Sequence, residues 1–216
     1  MSDKTWRAVD RYYFDAIIHS DEVLKQALAD SKAHGLPPIA VSAAQGKQLY
    51  LMALAIGANR ILEVGTLGGY STIWMARALP NEGMLVSLEI DPKHAAVARA
   101  NVARAGLAGK VDIQEGPAID LLAKLVGPFD FSFIDADKES NAAYFAQALR
   151  LSRKGSMIIV DNVVREGKVI DPNGSSQVQG VRRMIEALSA EKRISATAIQ
   201  TVGDKGYDGY LMALVL

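Results

Sequence analysis

The spacing of hydrophobic positions changes along this chain from a helical period to short strand-like runs. From about Asp3 to His34 apolar residues recur at helical spacing, as at Val23, Leu24, Ala27 and Leu28, and Asp21 stands where a helix start needs a side-chain acceptor. Gly35-Leu36-Pro37-Pro38 ends that pattern, because the residue before a proline is driven out of helical geometry. The helical period resumes from Ser42 to Ile56 with Leu49, Met52, Ala53 and Ile56. Short apolar runs bounded by glycine, proline or charge then predict strands at Arg60–Val64, Met84–Glu89, Val111–Glu115, Phe129–Ile134 and Ser156–Val160. Helical stretches at Tyr70–Ala78, Lys93–Ala105, Ala118–Val126 and Ser140–Leu151 separate them. Strand and helix in alternation imply parallel strands, right-handed crossovers and helices on both faces of the sheet. A last helix near Val178–Ser189 precedes two strand-like runs, Arg193–Thr201 and Tyr207–Leu216. The link between them, Val202 to Gly206, is too short for a crossover helix, so they form an antiparallel hairpin.

Composition narrows the classes. With 216 residues, 50% of them apolar, the chain can bury one substantial core. Lys plus Arg and Asp plus Glu each number 24, so the net charge is zero and no strong electrostatic footprint for nucleic acid or an anionic membrane is present, although a local basic patch stays open. Cysteine is absent, which removes disulfides and thiolate metal sites and fits a reducing compartment. Met1 to Asp15 lacks the apolar core of a signal peptide, and no apolar run reaches the length of a membrane span. The expectation is a cytoplasmic protein.

Candidate chemistry gathers at the ends of the predicted strands. Glu63-Val64-Gly65-Thr66-Leu67-Gly68-Gly69-Tyr70-Ser71 turns the first strand into a helix, with glycines that permit a tight turn and close approach of a ligand. Its spacing differs from the Gly-x-Gly-x-x-Gly of pyrophosphate binders. Glu89 ends the next strand about where an acid bonds a cofactor ribose, so loop and acid together predict a nucleoside-cofactor site. Glu63 falls inside an apolar strand, where an ionised carboxylate needs a partner; a cationic ligand or the amides of its own loop would serve. Asp135, Asp161 and Asn162 end two successive strands and offer hard oxygen donors without histidine or cysteine. That set suits Mg²⁺, with Mn²⁺ or Ca²⁺ as competitors. Lys138, three residues after Asp135, can face the same space and handle a proton. His19, His34 and His94 are dispersed and receive no chemistry, while Trp74 and Met75 read as core. No Gly-x-Ser-x-Gly elbow or Gly-x-x-x-x-Gly-Lys phosphate loop occurs, which disfavours the commonest hydrolase and NTPase readings.

Taken together, the glycine loop, Glu-Gly-Pro-Ala at 115–118, Asp-Ala-Asp-Lys at 135–138 and Asp-Asn at 161–162 resemble the cation-dependent O-methyltransferases that use S-adenosylmethionine, the group of caffeoyl-CoA and catechol O-methyltransferases. The resemblance covers about Ile39 to Leu216. It implies a seven-stranded, Rossmann-like class I methyltransferase sheet over 39–216, with helices on both faces and a C-terminal antiparallel hairpin, preceded by a helical extension over 1–38. It further implies that Glu63, Gly65 and Ser71 surround the methionine part of the cofactor, that Glu89 holds the ribose hydroxyls and that Ala118 borders the adenine. Thr66 and Val41 join this cofactor set, with Asp135 and Asp137 as acids beside it. Asp135, Asp161 and Asn162 match the family's metal ligands, and Lys138 matches the lysine assigned as base, which puts Lys138 and Asp135 at the catalytic centre.

One departure bears on the cofactor and two on the substrate. Val41 stands where plant relatives carry a threonine that meets the cofactor, so a hydroxyl contact is lost there; Glu166 replaces an asparagine implicated in plant substrate binding, and the plant N-terminal lysine for the CoA ester has no clear counterpart, which argues against a CoA thioester. Val163 to Gln177, with Arg165, Lys168, Pro172, Asn173 and Gly174, is a candidate substrate loop. The expected reaction is methyl transfer to one hydroxyl of a vicinal diol on a small aromatic molecule. Alternatives are a hydroxylated tRNA nucleoside as acceptor, an NAD-dependent oxidoreductase, and a non-catalytic cofactor-binding protein. The helical extension needs a cover for its apolar face, and the family makes a homodimer the expected assembly.

Overall fold

The strands form one seven-stranded sheet in the order β3-β2-β1-β4-β5-β7-β6, in a computed structural model that describes residues 3–216. Met1 and Ser2, which begin the expected extension, lie outside the described residues. The strands are β1 (Arg60–Val64), β2 (Met84–Glu89), β3 (Val111–Glu115), β4 (Phe129–Ile134), β5 (Ser152–Asp161), β6 (Ile194–Gly203) and β7 (Gly206–Val215). β3, β2, β1, β4 and β5 run parallel, and β7 pairs antiparallel with both β5 and β6. The expected sheet and its terminal hairpin are therefore present.

The helices are α1 (Asp3–Tyr13), α2 (Glu22–Ala33), α3 (Ala43–Ala55), α4 (Tyr70–Ala76), α5 (Pro92–Arg104), α6 (Ala118–Lys124), α7 (Asn141–Arg150) and α8 (Ser176–Ser189). The N-terminal helical stretch is two helices. α1 runs on as a wider π turn over Phe14–Ile18, stops at His19 with φ 49°, and α2 restarts where Asp21 accepts a hydrogen bond from Leu24 N at 3.0 Å. β5 begins earlier than expected because its register with β4 jumps from Phe129–Ser152 to Phe131–Met157. The charged run Arg153-Lys154-Gly155 belongs to that irregular entry and hides its strand character.

Strand alternation divides the core in two. Ile61, Leu85, Phe131, Phe133 and Ile159 face α2 to α5, where Leu24, Leu49, Ile73 and Ala98 are buried against them. Leu62, Val64, Ile134, Ile158 and Val160 face α6 to α8, meeting Leu122, Phe145, Val181 and Met184. Each such large side chain contributes on the order of 2 kcal/mol through burial. α2 is tied to this frame as well: Asn101 Nδ2 of α5 donates to Gly68 O at 2.9 Å and to Ala27 O at 3.3 Å. Among the described residues no helix is long and apolar enough to cross a membrane.

β1 lies between β2 and β4, so chain connections leave its C-terminal end in opposite directions and open a crevice there. That crevice holds the candidate site.

Candidate active site

The glycine loop at the end of β1 is braced from the neighbouring strands. Gly65 has φ 97°, and a Cβ there would overlap the Asp135 carbonyl, so only glycine lets the ends of β1 and β4 come this close. Asp135 N donates to Val64 O at 2.8 Å and Gly65 N to Leu88 O at 2.9 Å, which continues the sheet one residue past the strand ends. Glu89, at the end of β2, accepts from Thr66 N at 3.1 Å and Leu67 N at 2.8 Å through one oxygen and from Asp91 N at 3.0 Å through the other. It lines the cavity and clamps the loop at once.

Glu63 has a different environment from the one expected. It is fully buried and does not line the cavity; parallel register sets it beside Ser87 of β2, and alternation points it at the first turn of α4. Its carboxylate accepts from Ser71 Oγ at 2.6 Å, Thr72 Oγ1 at 2.5 Å and Ser87 Oγ at 2.6 Å. Hydroxyls, not loop amides, are its partners. Burial pushes its pKa up to about 7, opposed by those three hydroxyls and reinforced by the negative charge of Asp135. Ser71 does line the cavity, so Glu63 acts on the space through it. Thr66 is buried too, its hydroxyl 2.5 Å from Ser87 Oγ.

A cavity of about 760 Å³ runs over the crevice, a size typical of small-molecule sites. One end is walled by Glu89, Ile90, His94, Pro117, Ala118 and Ile119, the other by Asp135, Lys138, Asn162, Arg165 and Gln177, with Val41, Gly65 and Ser71 between them in the lining. Asp137 lines it beside Tyr144, whose hydroxyl donates to Asp137 Oδ1 at 2.6 Å. Burial raises the Asp137 pKa, but hydrogen bonds from Ser140 and Tyr144 outweigh it and hold the carboxyl below the ordinary range. Tyr144 is pushed up to about 12 by burial and by that same carboxylate.

Asp135 and Asp161 follow the paired residues Ile134 and Val160, so the two carboxylates stand at one rim. Lys138 Nζ, almost wholly buried, donates to Asp135 Oδ1 at 2.7 Å. Asp161 sits deeper, outside the cavity lining and beneath α3, where the Gln45 side chain hydrogen-bonds it. Burial and the Asp135 charge push its pKa up to about 7, against the pull of Lys138 and Gln45. Asn162 follows with φ 56°, a left-handed conformation that asparagine tolerates better than most residues, and it reaches the cavity. Trp74 and Met75 are buried in the core.

Four contributors escaped sequence reasoning. His94 lines the cavity with Nδ1 3.6 Å from Glu89 Oε1, and its position in the first turn after the Asp91 cap was the available signal. Tyr144 lies on α7 one helical period beyond Asn141, and reads as core. Gln45 and Gln177 each sit in a first helical turn, after the caps Ser42 and Ser175, and only tertiary packing gives them roles.

A family model for O-methyltransferases matches residues 15–210. The chain belongs to the S-adenosylmethionine-dependent O-methyltransferase family. Among relatives of this family member, a catechol O-methyltransferase of Niastella koreensis is 50% identical over the whole of both chains. One of Mycobacterium tuberculosis is 50% identical over 96% of this chain and 94% of its own. The O-methyltransferase of Bacillus cereus, solved in complex with SAH, superposes with a TM-score of 0.97 at 52% identity over all of both chains. TomG of Streptomyces achromogenes, solved with SAM and involved in tomaymycin synthesis, has a TM-score of 0.97 at 46% identity, covering 100% of this chain and 99% of its own.

Proposed function

We propose that this O-methyltransferase methylates one hydroxyl of a vicinal diol on a small aromatic molecule, and that it does so with a divalent cation held by Asp135, Asp161 and Asn162. The observation that carries the reading is the pair of carboxylates at one rim, of which Asp135 is bonded to Lys138. Burial and the negative charge of Asp135 raise the Asp161 pKa, and Lys138 supplies only one positive charge to the two carboxylates. The site therefore has room electrostatically for another cation. Its donors are all oxygen, which fits Mg²⁺ before Mn²⁺ or Ca²⁺ and disfavours zinc. The names of the Niastella and Mycobacterium relatives support a catechol as acceptor.

A divalent cation bound there would supply Lewis acidity that lowers the pKa of a hydroxyl in its reach. The protein's own residues do the remaining work. Gly65 and Ser71 border the methionine portion of the donor, Glu89 the ribose and Ala118 the adenine; Asp137, Val41 and Thr66 complete the wall. In its neutral form Lys138 Nζ takes the proton of the reacting hydroxyl, and the resulting ammonium stabilises the developing oxyanion; Asp135 holds that Nζ in place. The methyl carbon leaves sulfur and bonds to oxygen, and the neutral thioether departs. The protein thus contributes position and charge more than covalent chemistry.

The test is methylation of catechol by purified enzyme with S-adenosylmethionine, with Mg²⁺ and with EDTA, alongside Asp161→Ala and Asn162→Ala. The expected result is product only with metal, with both variants losing turnover at least a hundredfold while calorimetry shows cofactor binding retained. Full metal-dependent activity in either variant would refute the ligand assignment. For assembly we propose a homodimer using the outer side of α1, which exposes Val9, Tyr12 and Tyr13. A monomer in sedimentation equilibrium would refute it.

A further inference from the structure

We infer that Arg165 selects methyl acceptors whose aromatic ring carries a carboxylate, an inference that rests on the diol-methylating reading above. β5 ends in the site, and the chain then passes through Arg165 and Glu166, each at φ 56°, and Gly167 at φ 82°. Left-handed backbone at a long side chain costs on the order of 1 kcal/mol and persists only where surroundings impose it. Here Asp208 of β7 imposes it: its Oδ1 accepts from Val164 N at 3.1 Å and from Arg165 N at 2.9 Å, while Val163 N donates to Gly209 O at 3.0 Å. The consequence is an arginine on the cavity wall at the same end as Asp135, Lys138 and Asn162.

Its guanidinium is oriented but its charge is unmatched. Arg165 Nη2 donates to Gln177 Oε1, a neutral partner that also lines the cavity. Two carboxylates feel its charge, Glu139 and Glu166, and each is engaged elsewhere. Ser176 Oγ donates to Glu139 at 2.7 Å, and Lys168 Nζ pairs with Glu166 at 2.7 Å. The other cation on this wall, Lys138, is already paired with Asp135. Among the described residues Arg165 is thus the cation lining the acceptor end that retains donors and charge for a ligand, and a planar guanidinium matches a carboxylate in a two-pronged hydrogen bond. A cavity of about 760 Å³ must hold donor and acceptor together, which favours a compact aromatic acid over a bulky phosphorylated conjugate.

The experiment compares kcat/KM for 3,4-dihydroxybenzoate with kcat/KM for catechol, in wild type and in Arg165→Gln, Arg165→Lys and Arg165→Glu, with Mg²⁺ present. Effects common to both acceptors cancel in the ratio. The ratio should exceed one in wild type, fall about tenfold or more in Arg165→Gln, recover in part in Arg165→Lys and invert in Arg165→Glu. Calorimetric titration of 3,4-dihydroxybenzoate into enzyme saturated with S-adenosylhomocysteine should show the same tenfold loss without any turnover. Methylation of catechol with an unchanged ratio overturns the inference and leaves the proposed function standing. A loss of S-adenosylmethionine affinity in Arg165→Gln with an unchanged acceptor ratio also overturns it, because the guanidinium would then serve the cofactor. No methylation of either diol overturns the reading beneath it.

Discussion

Replacing Glu63 by glutamine should change how stability depends on pH more than it changes stability at any one acidic pH. Glu63 is fully buried, its pKa stands at about 7 against an ordinary 4.5, and its partners are three hydroxyls that can accept as well as donate. The folded state therefore holds this proton more tightly than the unfolded state does. Stability from the group is fully present below the ordinary pKa and drains away as pH rises through the folded value, at about 1.4 kcal/mol per pH unit. The displacement from 4.5 to about 7 amounts to roughly 3 kcal/mol lost between acid and pH 8. Glutamine fills the same space, carries no proton to lose, and finds the Ser71, Thr72 and Ser87 hydroxyls free to turn. Urea unfolding of wild type and Glu63→Gln at pH 5, 6, 7 and 8.5 isolates the group, because Asp161 and other titrating residues contribute to both proteins. The difference in unfolding free energy should move toward the variant by roughly 3 kcal/mol across that range, with most of the movement complete by pH 7. A difference constant to within about 0.5 kcal/mol would refute the reading of Glu63 as a protonated, internally satisfied carboxyl.

Two further substitutions probe the supports of the site. A Cβ at Gly180 of α8 would overlap the Lys138 carbonyl and the Glu139 Cα, so Gly180→Ala should cost roughly 2–3 kcal/mol in chemical denaturation and lower turnover by shifting Lys138; wild-type stability would refute the close packing. Tyr144→Phe removes the hydroxyl that donates to Asp137, and should weaken S-adenosylmethionine binding about fivefold in calorimetry, close to 1 kcal/mol, with a native circular dichroism spectrum; unchanged affinity would separate Asp137 from the cofactor.

Much of the sheet was legible because its central strands are short apolar runs with hard boundaries: β1, β2, β3 and β4 lie where the pattern puts them. β5 was legible only over its regular part, since Arg153 and Lys154 enter the sheet through a register shift that no periodicity announces. The acids at strand ends were legible for a related reason, as oxygen ligands that an apolar strand does not require. What each acid touches was not. Glu63 looked available to a ligand, but Ser71 and Thr72 come from the next helix and Ser87 from the neighbouring strand, and their convergence depends on register. Arg165 gave no hint of its left-handed backbone, because the residue that imposes it, Asp208, is far along the chain.

Glu89 shows how one residue can carry two roles that a binding assay alone would confuse. The resemblance assigns it to the cofactor ribose, while both its oxygens accept backbone amides, two of them in the glycine loop. A carboxylate accepting such amides contributes about 1.5–3 kcal/mol per charge-assisted bond, and neutralising it loosens the loop whether or not cofactor is present. Glu89→Gln should therefore speed hydrogen exchange at Thr66 and Leu67 in the absence of any ligand, on the order of tenfold or more, since local opening governs that rate. Loss of the ribose contact would instead appear as weaker binding of S-adenosylmethionine with loop protection unchanged in the free enzyme. Both effects together mean that the loop is held in its binding shape by the same acid that meets the ribose, so part of the cofactor's affinity is stored in the fold before it arrives. Unaltered protection in the ligand-free variant would remove Glu89 from the loop's support and leave it a ribose ligand alone.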